Sequence, residues 1–336
     1  MGYRQAMEDA CTIVQHLNIA PLCIPDLSPQ SFFGVFDGHG GVQASHYLAQ
    51  HLHVNVAHGL LDDAHAIFQT IDDVAPVSLY ESSSQSGMEK LDRIIVQSLK
   101  TSFLQTDKSF INTSEHPQHG STATTALILG KRLYCANVGD SRSMLCRNFS
   151  PICMSEDHKP TREDEAKRIR DAGGFVINNR VMGELAVSRA FGDVDFKKGL
   201  QSIIEEEGGL GSGSKPSAGG SSNPGHFSAR GSESEPAGDG PGSQGSDGNS
   251  WDQPLIIAEP DVKMLTIGEE DQFLLLGCDG LFDVYTPAEV VTFVRDQMLK
   301  HGDAQKCCQS LTHDAIRKRN SRDNVSVILI ILNKWY

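Results

Sequence analysis

The segment Phe32-Phe33-Gly34-Val35-Phe36-Asp37-Gly38-His39-Gly40-Gly41 constrains this chain more than any other. Residues 32–36 are aromatic and β-branched and read as a short buried strand. The strand stops at an aspartate, a position from which a carboxylate can leave the core and reach a site. Gly38 permits a tight turn and brings its own carbonyl close to a ligand. Gly40-Gly41 opens a helix in which Ala44, Tyr47, Leu48, His51 and Leu52 fall near one face. Strand, acid, turn and helix start make a corner suited to a metal or a phosphate, although an Asp-Gly hairpin turn has the same signature.

The pattern recurs. Gly120–Leu129 and Leu133–Val138 predict a hairpin, and its second strand runs into Gly139-Asp140-Ser141-Arg142. Gln272–Cys278 predicts a fully buried strand ending in Asp279-Gly280-Leu281-Phe282-Asp283. Asp323 precedes the strand-like run Val325–Leu332, and Glu8-Asp9 precede the strand Ala10–Val14. Neighbours on an extended chain face opposite ways, so Glu8 and Asp9 do not both meet a shared site directly, whereas Arg4 and Glu8 share a face. A single acid at a strand end is usually a turn residue. Five such places suggest that strand ends converge on one pole and pool their carboxylates, which is too costly without a cation. Oxygen donors with no Cys or His set suit Mg²⁺ or Mn²⁺. Two such ions about 3.5–4 Å apart can activate a bridging water for in-line attack on phosphorus. Asp37 beside Gly38 suits the bridging position, Arg4 the phosphate oxygens, and His39 the protonation of a leaving oxygen. A calcium site built on loops is the alternative that the same residues allow.

Charge narrows the partners. The chain has 336 residues, a net charge of −14 and a pI near 5.3. A nucleic-acid binder would need a basic face, so a nuclease or diesterase reading is disfavoured. Eight scattered cysteines form no C-x-x-C pair and read mainly as reduced core residues. There is no signal-peptide pattern, no apolar run of transmembrane length, and Ala6 stands where a myristoylation motif needs Ser or Thr. The expectation is an intracellular, cytoplasmic or nuclear protein without stable membrane insertion.

The remaining chain reads as structure. Residues 55–90 suggest a surface helix and a loop, and Met88–Gln105 a helix with Leu91, Ile94, Ile95, Leu99 and Phe103 inward. His51, His53, His58, His116 and His119 read as surface or loop residues. Residues 157–174 predict a helix capped by Thr161 with Asp164, its packed face formed by Ala166, Ile169 and Ala172. Leu185–Asp193 is an apolar stretch turning polar, and Leu255–Ala258 has strand character. Thr286-Pro287-Ala288-Glu289 is a capping box with Pro at the first position, and Asp303 caps a helix reaching about Arg319. In residues 208–250, Gly, Ser and Pro supply 28 of 43 positions, too little apolar surface to offset ordering entropy. A disordered insertion at about 203–252 inside one domain spanning 1–336 is expected.

Seven motifs occur in one order: Arg4-x-x-Met7-Glu8-Asp9, Phe36-Asp37-Gly38-His39-Gly40-Gly41, Gly120-Ser121-Thr122-Ala123, Gly139-Asp140-Ser141-Arg142, Leu185-Ala186-Val187-Ser188-Arg189, Cys278-Asp279-Gly280 and Asp323-Asn324. In this the chain resembles the metal-dependent type 2C protein serine/threonine phosphatases, over nearly all its length except about 55–90 and 200–252. The resemblance implies an α+β fold: a four-layer α-β-β-α sandwich of two mainly antiparallel sheets with helices on both outer faces. It implies hydrolysis of phosphoserine and phosphothreonine in phosphoprotein substrates by a monomer carrying two Mg²⁺ or Mn²⁺ ions. Asp37 would bridge the ions, with Glu8 and the Gly38 carbonyl on one and Asp279 and Asp323 on the other. Asp140 and Asp283 match a third, weaker site, and Asp9 would stand behind the ligands. Arg4 would bind phosphate, His39 would act as general acid, and residues 173–190 would form or flank a flap beside the cleft. Family members carry a strand before the Arg motif. Only three residues precede Arg4 here, so a sheet lacking an edge strand, or a chain beginning inside a longer protein, is expected.

Overall fold

A computed structural model describes residues 3–17, 19, 22, 27–74, 83–197 and 253–336. The expected insertion at about 203–252 lies outside the described residues, as does Cys23.

Two antiparallel sheets carry the chain. The first contains β1 (Ala10–Val14), β2 (Gln30–Phe36), β5 (Ala123–Leu129), β6 (Arg132–Val138) and β12 (Asp261–Thr266), in the order β1-β2-β5-β6-β12. The second contains β7 (Arg142–Arg147), β8 (Ser150–Cys153), β13 (Asp271–Gly277) and β14 (Val327–Ile331), in the order β14-β13-β7-β8. A small third sheet joins β3 (Gly38–His39), β4 (Gly120–Ser121) and β11 (Phe191–Gly192), and β9 (Val176–Ile177) pairs with β10 (Arg180–Val181) as a hairpin. Seven helices are found among the described residues: α1 (Gln43–Asp62), α2 (Ala64–Val74), α3 (Ser83–Thr113), α4 (Glu163–Asp171), α5 (Asp279–Phe282), α6 (Pro287–His301) and α7 (Ala304–Arg317). None is long and apolar enough to cross a membrane.

Two inner strands, β2 and β13, are buried along their whole length, because each is covered on two faces. Along β2 the side chains divide by parity. Phe32 and Phe36 join Leu48, Leu52, Leu99 and Phe103 of α1 and α3, while Phe33 and Val35 meet Leu145, Leu274 and Leu276 of the second sheet. Along β13, Phe273 and Leu275 take the opposite side and pack with Val290, Val294 and Leu311 of α6 and α7. A continuous apolar run is therefore needed at both strands, and burial of each large side chain contributes about 1.5–3 kcal/mol.

Several expectations change. The weakly periodic region 55–74 forms the end of α1 and then α2, and Val56, Leu60 and Ile67 are fully buried rather than on a surface helix. Residues 3–9 form no strand, so the shared face expected for Arg4 and Glu8 has no extended backbone to define it. The helix expected at 157–174 is shorter, beginning at Glu163. Thr161 does not cap it: the N-cap is Arg162, whose guanidinium binds Asp164 and Asp261. Leu255–Ala258 forms no strand beyond one bridge from Ile257 to Arg189, and Leu255 and Ile256 instead bury themselves against Val181, Val187 and Ile169. At α6 the capping box forms as expected, with Thr286 Oγ1 accepting from Glu289 N and Glu289 Oε2 accepting from Thr286 N. Asp303 caps α7 through Lys306 N.

One charged cluster ties α4 to the segment 185–189 that follows the β9–β10 hairpin. Glu165, 1% exposed, accepts from Arg168 at 2.8 Å and from Arg189 at 2.7 Å. Burial pushes its carboxyl up, but the two guanidiniums outweigh this and hold it below its ordinary value. Glu165→Gln removes the buried anion that the half-buried Arg168 and Arg189 share, leaving Arg189 only Asp261, and is expected to cost about 3 kcal/mol. A folded value below the unfolded one stabilises the protein above the ordinary carboxylate range, and that stabilisation disappears as pH falls through the folded value. In thermal melts, the gap between wild type and Glu165→Gln should therefore be full at pH 7 and close on acidification below about pH 4.

Candidate metal centre

Strand register, not sequence proximity, brings the acids together. Ala10 pairs with Phe36 and Val35 with Thr124, while Ala123 pairs with Val138. The start of β1, the end of β2 and the end of β6 therefore share one pole, and Glu8-Asp9, Asp37 and Asp140 follow from it. In the second sheet Gly277 pairs with both Val327 and Arg142, which gathers Asp279, Asp323 and the Asp140 turn at the corresponding pole.

Side-chain contacts join the two groups. Asp9 Oδ2 accepts from Ser326 Oγ at 2.7 Å, and Asn324 binds the N-terminal segment twice, accepting from Glu8 N at 2.8 Å and donating to Ala6 O at 3.0 Å. Arg4 donates to Asp323 Oδ2 at 2.7 Å, with 55% of its side chain still exposed. The Glu8 carbonyl accepts from Ser45 Oγ at 2.5 Å, at the start of α1. Gly38 fits because it lacks a side chain: a Cβ there would lie 2.4 Å from the Glu8 carbonyl oxygen.

The electrostatics are one-sided. Burial pushes the Asp37 carboxyl well above its ordinary value, and Asp279, Asp9 and Asp140 push it further. Asp279 is pushed up to about 7 by burial together with Asp140 and Asp283. Asp9 and Asp283 are also raised, chiefly by burial. Three cations approach them: Arg4 on Asp323, Lys159, which binds the buried Asp140, and Arg142, which is held by Asp157 and acts on Asp140 and Asp283. Asp9 Oδ1 is buried with no hydrogen-bond partner. This donor set, all oxygen and short of positive charge, fits a hard divalent cation.

Among the described residues, one group of possible ligand atoms lies within 4.8 Å of one another: Asp9, Asp37 and Cys278. The Cys278 thiol donates to Asn324 O at 3.4 Å, and burial with Asp9 and Asp37 nearby pushes it well above its ordinary value. It is a neutral thiol that fills space behind the acids. His39, half-buried, pairs through Nε2 with Asp193 Oδ2 at 2.8 Å. Burial lowers its affinity for a proton, but Asp193, Asp140 and Glu8 together raise it above the ordinary value.

Sequence reading passed over Asp193, Lys159, Asn324 and Ser326. Asn324 and Asp193 each lay inside a quoted stretch, but only the fold reveals what they touch. His119, read as a loop residue, stacks on His116 at 4.9 Å and lies against Gly41, at the edge of the same corner.

The sequence profile of the family described as "PP2C: Protein phosphatase 2C" matches residues 1–325. The chain belongs to the protein phosphatase 2C family. It is 32% identical over 340 residues to "Probable protein phosphatase 2C 43" of Arabidopsis thaliana, covering 98% of this chain and 63% of that protein. It is 31% identical to "Probable protein phosphatase 2C 6" of Paramecium tetraurelia, covering 98% of this chain and 89% of that one. The chain thus spans just under two thirds of the Arabidopsis relative. The crystal structure of serine-threonine phosphatase 2C from Toxoplasma gondii matches the fold with a TM-score of 0.65 at 20% identity, covering 98% of this chain and 92% of that one.

A divalent cation should stabilise this family member by relieving the repulsion at the acidic pole. Mn²⁺ at 100 times its dissociation constant should raise unfolding free energy by about 2.7 kcal/mol relative to the chelated protein. Asp37→Asn should invert the order: in chelator it melts above wild type, because one repelling charge is gone, and Mn²⁺ adds little. Differential scanning calorimetry with and without EDTA checks both.

Proposed function

We propose that this protein phosphatase 2C family member is a metal-dependent protein serine/threonine phosphatase whose substrates are phosphoproteins. The convergence of Glu8, Asp9, Asp37, Asp140, Asp279 and Asp323 on one pole, in a mutually repelling and cation-deficient cluster, carries this reading. Asp37, Glu8, the Gly38 carbonyl, Asp279 and Asp323 would hold two Mg²⁺ or Mn²⁺ ions, and Asp140 with Asp283 a third, weaker one. When bound, the ions would supply an activated water and neutralise phosphoryl charge.

The chain's own groups do the rest. Arg4, largely exposed and already beside Asp323, turns its guanidinium to the phosphate oxygens, where its planar fork matches two of them at once. His39 gives a proton to the leaving seryl or threonyl oxygen. Asp9, held by Ser326, stands behind Asp37 and steadies it. Lys159, which now neutralises Asp140, must release it for the third site to fill. The domain proposed is one four-layer α-β-β-α unit spanning 1–336, a reading supported by the three apolar clusters that alternate with the two sheets.

Hydrolysis of p-nitrophenyl phosphate and of a phosphothreonine peptide tests the reading, with Mn²⁺, with Mg²⁺ and with chelator. Turnover should require metal, and Asp279→Asn should lower kcat by about 10³-fold or more while the far-ultraviolet circular dichroism stays the same. Undiminished turnover in Asp279→Asn would sink the mechanism. Hydrolysis of bis-p-nitrophenyl phosphate but not of the monoesters would point to a diesterase instead.

A further inference from the structure

The segment Phe191-Gly192-Asp193 lies far from the acidic motifs in sequence, yet Asp193 ends up against His39. Three features single it out. Asp193 is 5% exposed, so it is a buried acid. Its φ is 50°, in the left-handed region that few non-glycine residues other than Asn and Asp adopt. Its backbone N donates to the His119 carbonyl at 3.3 Å, and the turn before it is clamped to α3: Gly192 N donates to Asp107 Oδ1 at 2.8 Å, and Asp107 Oδ2 accepts from the buried Lys197 at 2.7 Å. Lys197 also donates to Ala190 O at 2.8 Å. A residue in a left-handed turn, locked by a buried ion pair, thus aims its carboxylate at one imidazole nitrogen.

Space is reserved for the contact. A Cβ on Gly120 would fall 2.1 Å from His39 Nε2 and 2.3 Å from Asp193 Oδ2, that is, between them. Gly120 belongs to the Gly-Ser-Thr-Ala motif on β4, which joins β3, carrying His39, to β11, ending at Gly192. The small three-stranded sheet therefore has one evident product: the juxtaposition of His39 and Asp193.

We propose that Asp193 is a positioning residue for His39. It accepts the Nε2 hydrogen, fixes the plane of the ring, and leaves Nδ1 as the nitrogen that meets the leaving oxygen. The inference rests on the reading of His39 as general acid. As the P–O bond breaks, its electron pair goes to the seryl or threonyl oxygen, which takes the Nδ1 proton. The imidazole becomes neutral and keeps its Nε2 hydrogen on Asp193. Water supplies the oxygen that replaces the leaving group on phosphorus, and a proton from that water returns through solvent to Nδ1. Without Asp193 the ring can turn or hold its hydrogen on the wrong nitrogen, which is the known failure of a histidine stripped of its orienting carboxylate.

The test compares leaving groups. A phosphothreonine peptide leaves as a poor alkoxide and needs the proton, whereas 2,4-dinitrophenyl phosphate leaves as a stable phenolate and does not. With Mn²⁺ saturating, His39→Ala and Asp193→Asn should each lower kcat on the peptide by about 10–10²-fold, with KM within about twofold. The loss on the dinitrophenyl ester should be at least about tenfold smaller. The double variant should lose no more than His39→Ala alone, since the two act as one unit. Gly120→Ala, which drives a methyl between the pair, should reproduce the same leaving-group discrimination. Melting curves and Mn²⁺ titration of each variant verify a folded, metal-binding protein. Equal losses on both substrates in Asp193→Asn and Gly120→Ala, with His39→Ala still discriminating, overturn the pairing alone. Absence of discrimination in His39→Ala overturns the acid role, and the pairing falls with it.

Discussion

Repulsion among carboxylates gathered at one pole is the constraint around which this molecule is built. No isolated segment would hold Asp37, Asp9 and Asp279 together, because burial and the surrounding carboxylates raise the proton affinity of all three. Inner strands buried on both faces, β2 and β13 among them, supply the apolar contacts that offset this repulsion. The antiparallel register then places strand starts and ends of both sheets at the same pole. The remaining instability is what a divalent cation would remove, so the cluster that weakens the bare fold is also its means of binding.

Elsewhere the chain treats charge in the opposite way. Buried acids remote from the pole have cationic partners: Glu165 with Arg168 and Arg189, Asp107 with Lys197, Asp92 with Arg132, Asp271 with Arg147. Two of these anchor connections that flank the site, whereas Asp92–Arg132 and Asp271–Arg147 close the far ends of the sheets. Asp107–Lys197 fixes the turn that carries Asp193, and Glu165 fixes the segment leading away from the β9–β10 hairpin. The contrast between satisfied acids in the frame and unsatisfied acids at the pole is the clearest electrostatic mark of a functional centre in the structure.

Asp37, Asp140, Asp279 and Asp323 were legible because each borders an apolar run, and the unbroken runs Phe32–Phe36 and Gln272–Cys278 mark strands buried on both faces. The caps of α6 and α7 were legible for a similar reason, since capping is a contact between residues three apart. Thr161 misled because a capping motif competes with ion pairing, and Arg162 found Asp164 and Asp261 instead. Val56, Leu60 and Ile67 were misplaced because weak periodicity does not reveal that a helix is covered by α3 on one side and the first sheet on another. Leu255–Ala258 has strand composition, but among the described residues its ladder stops at the single bridge from Ile257 to Arg189.

By itself, the sequence determined the apolar strands, the caps and the acids at strand ends, all of which depend on residues within a few positions of one another. It also determined family membership, through motifs kept in order along the chain. The tertiary structure alone decided which acids meet, that Asn324 ties the N-terminal segment to the second sheet, and that Asp193 faces His39 across 154 residues of sequence. Those contacts depend on register, on a left-handed turn and on the missing side chain of Gly120. They are properties of two distant backbones brought into one place, and no local pattern encodes that distance.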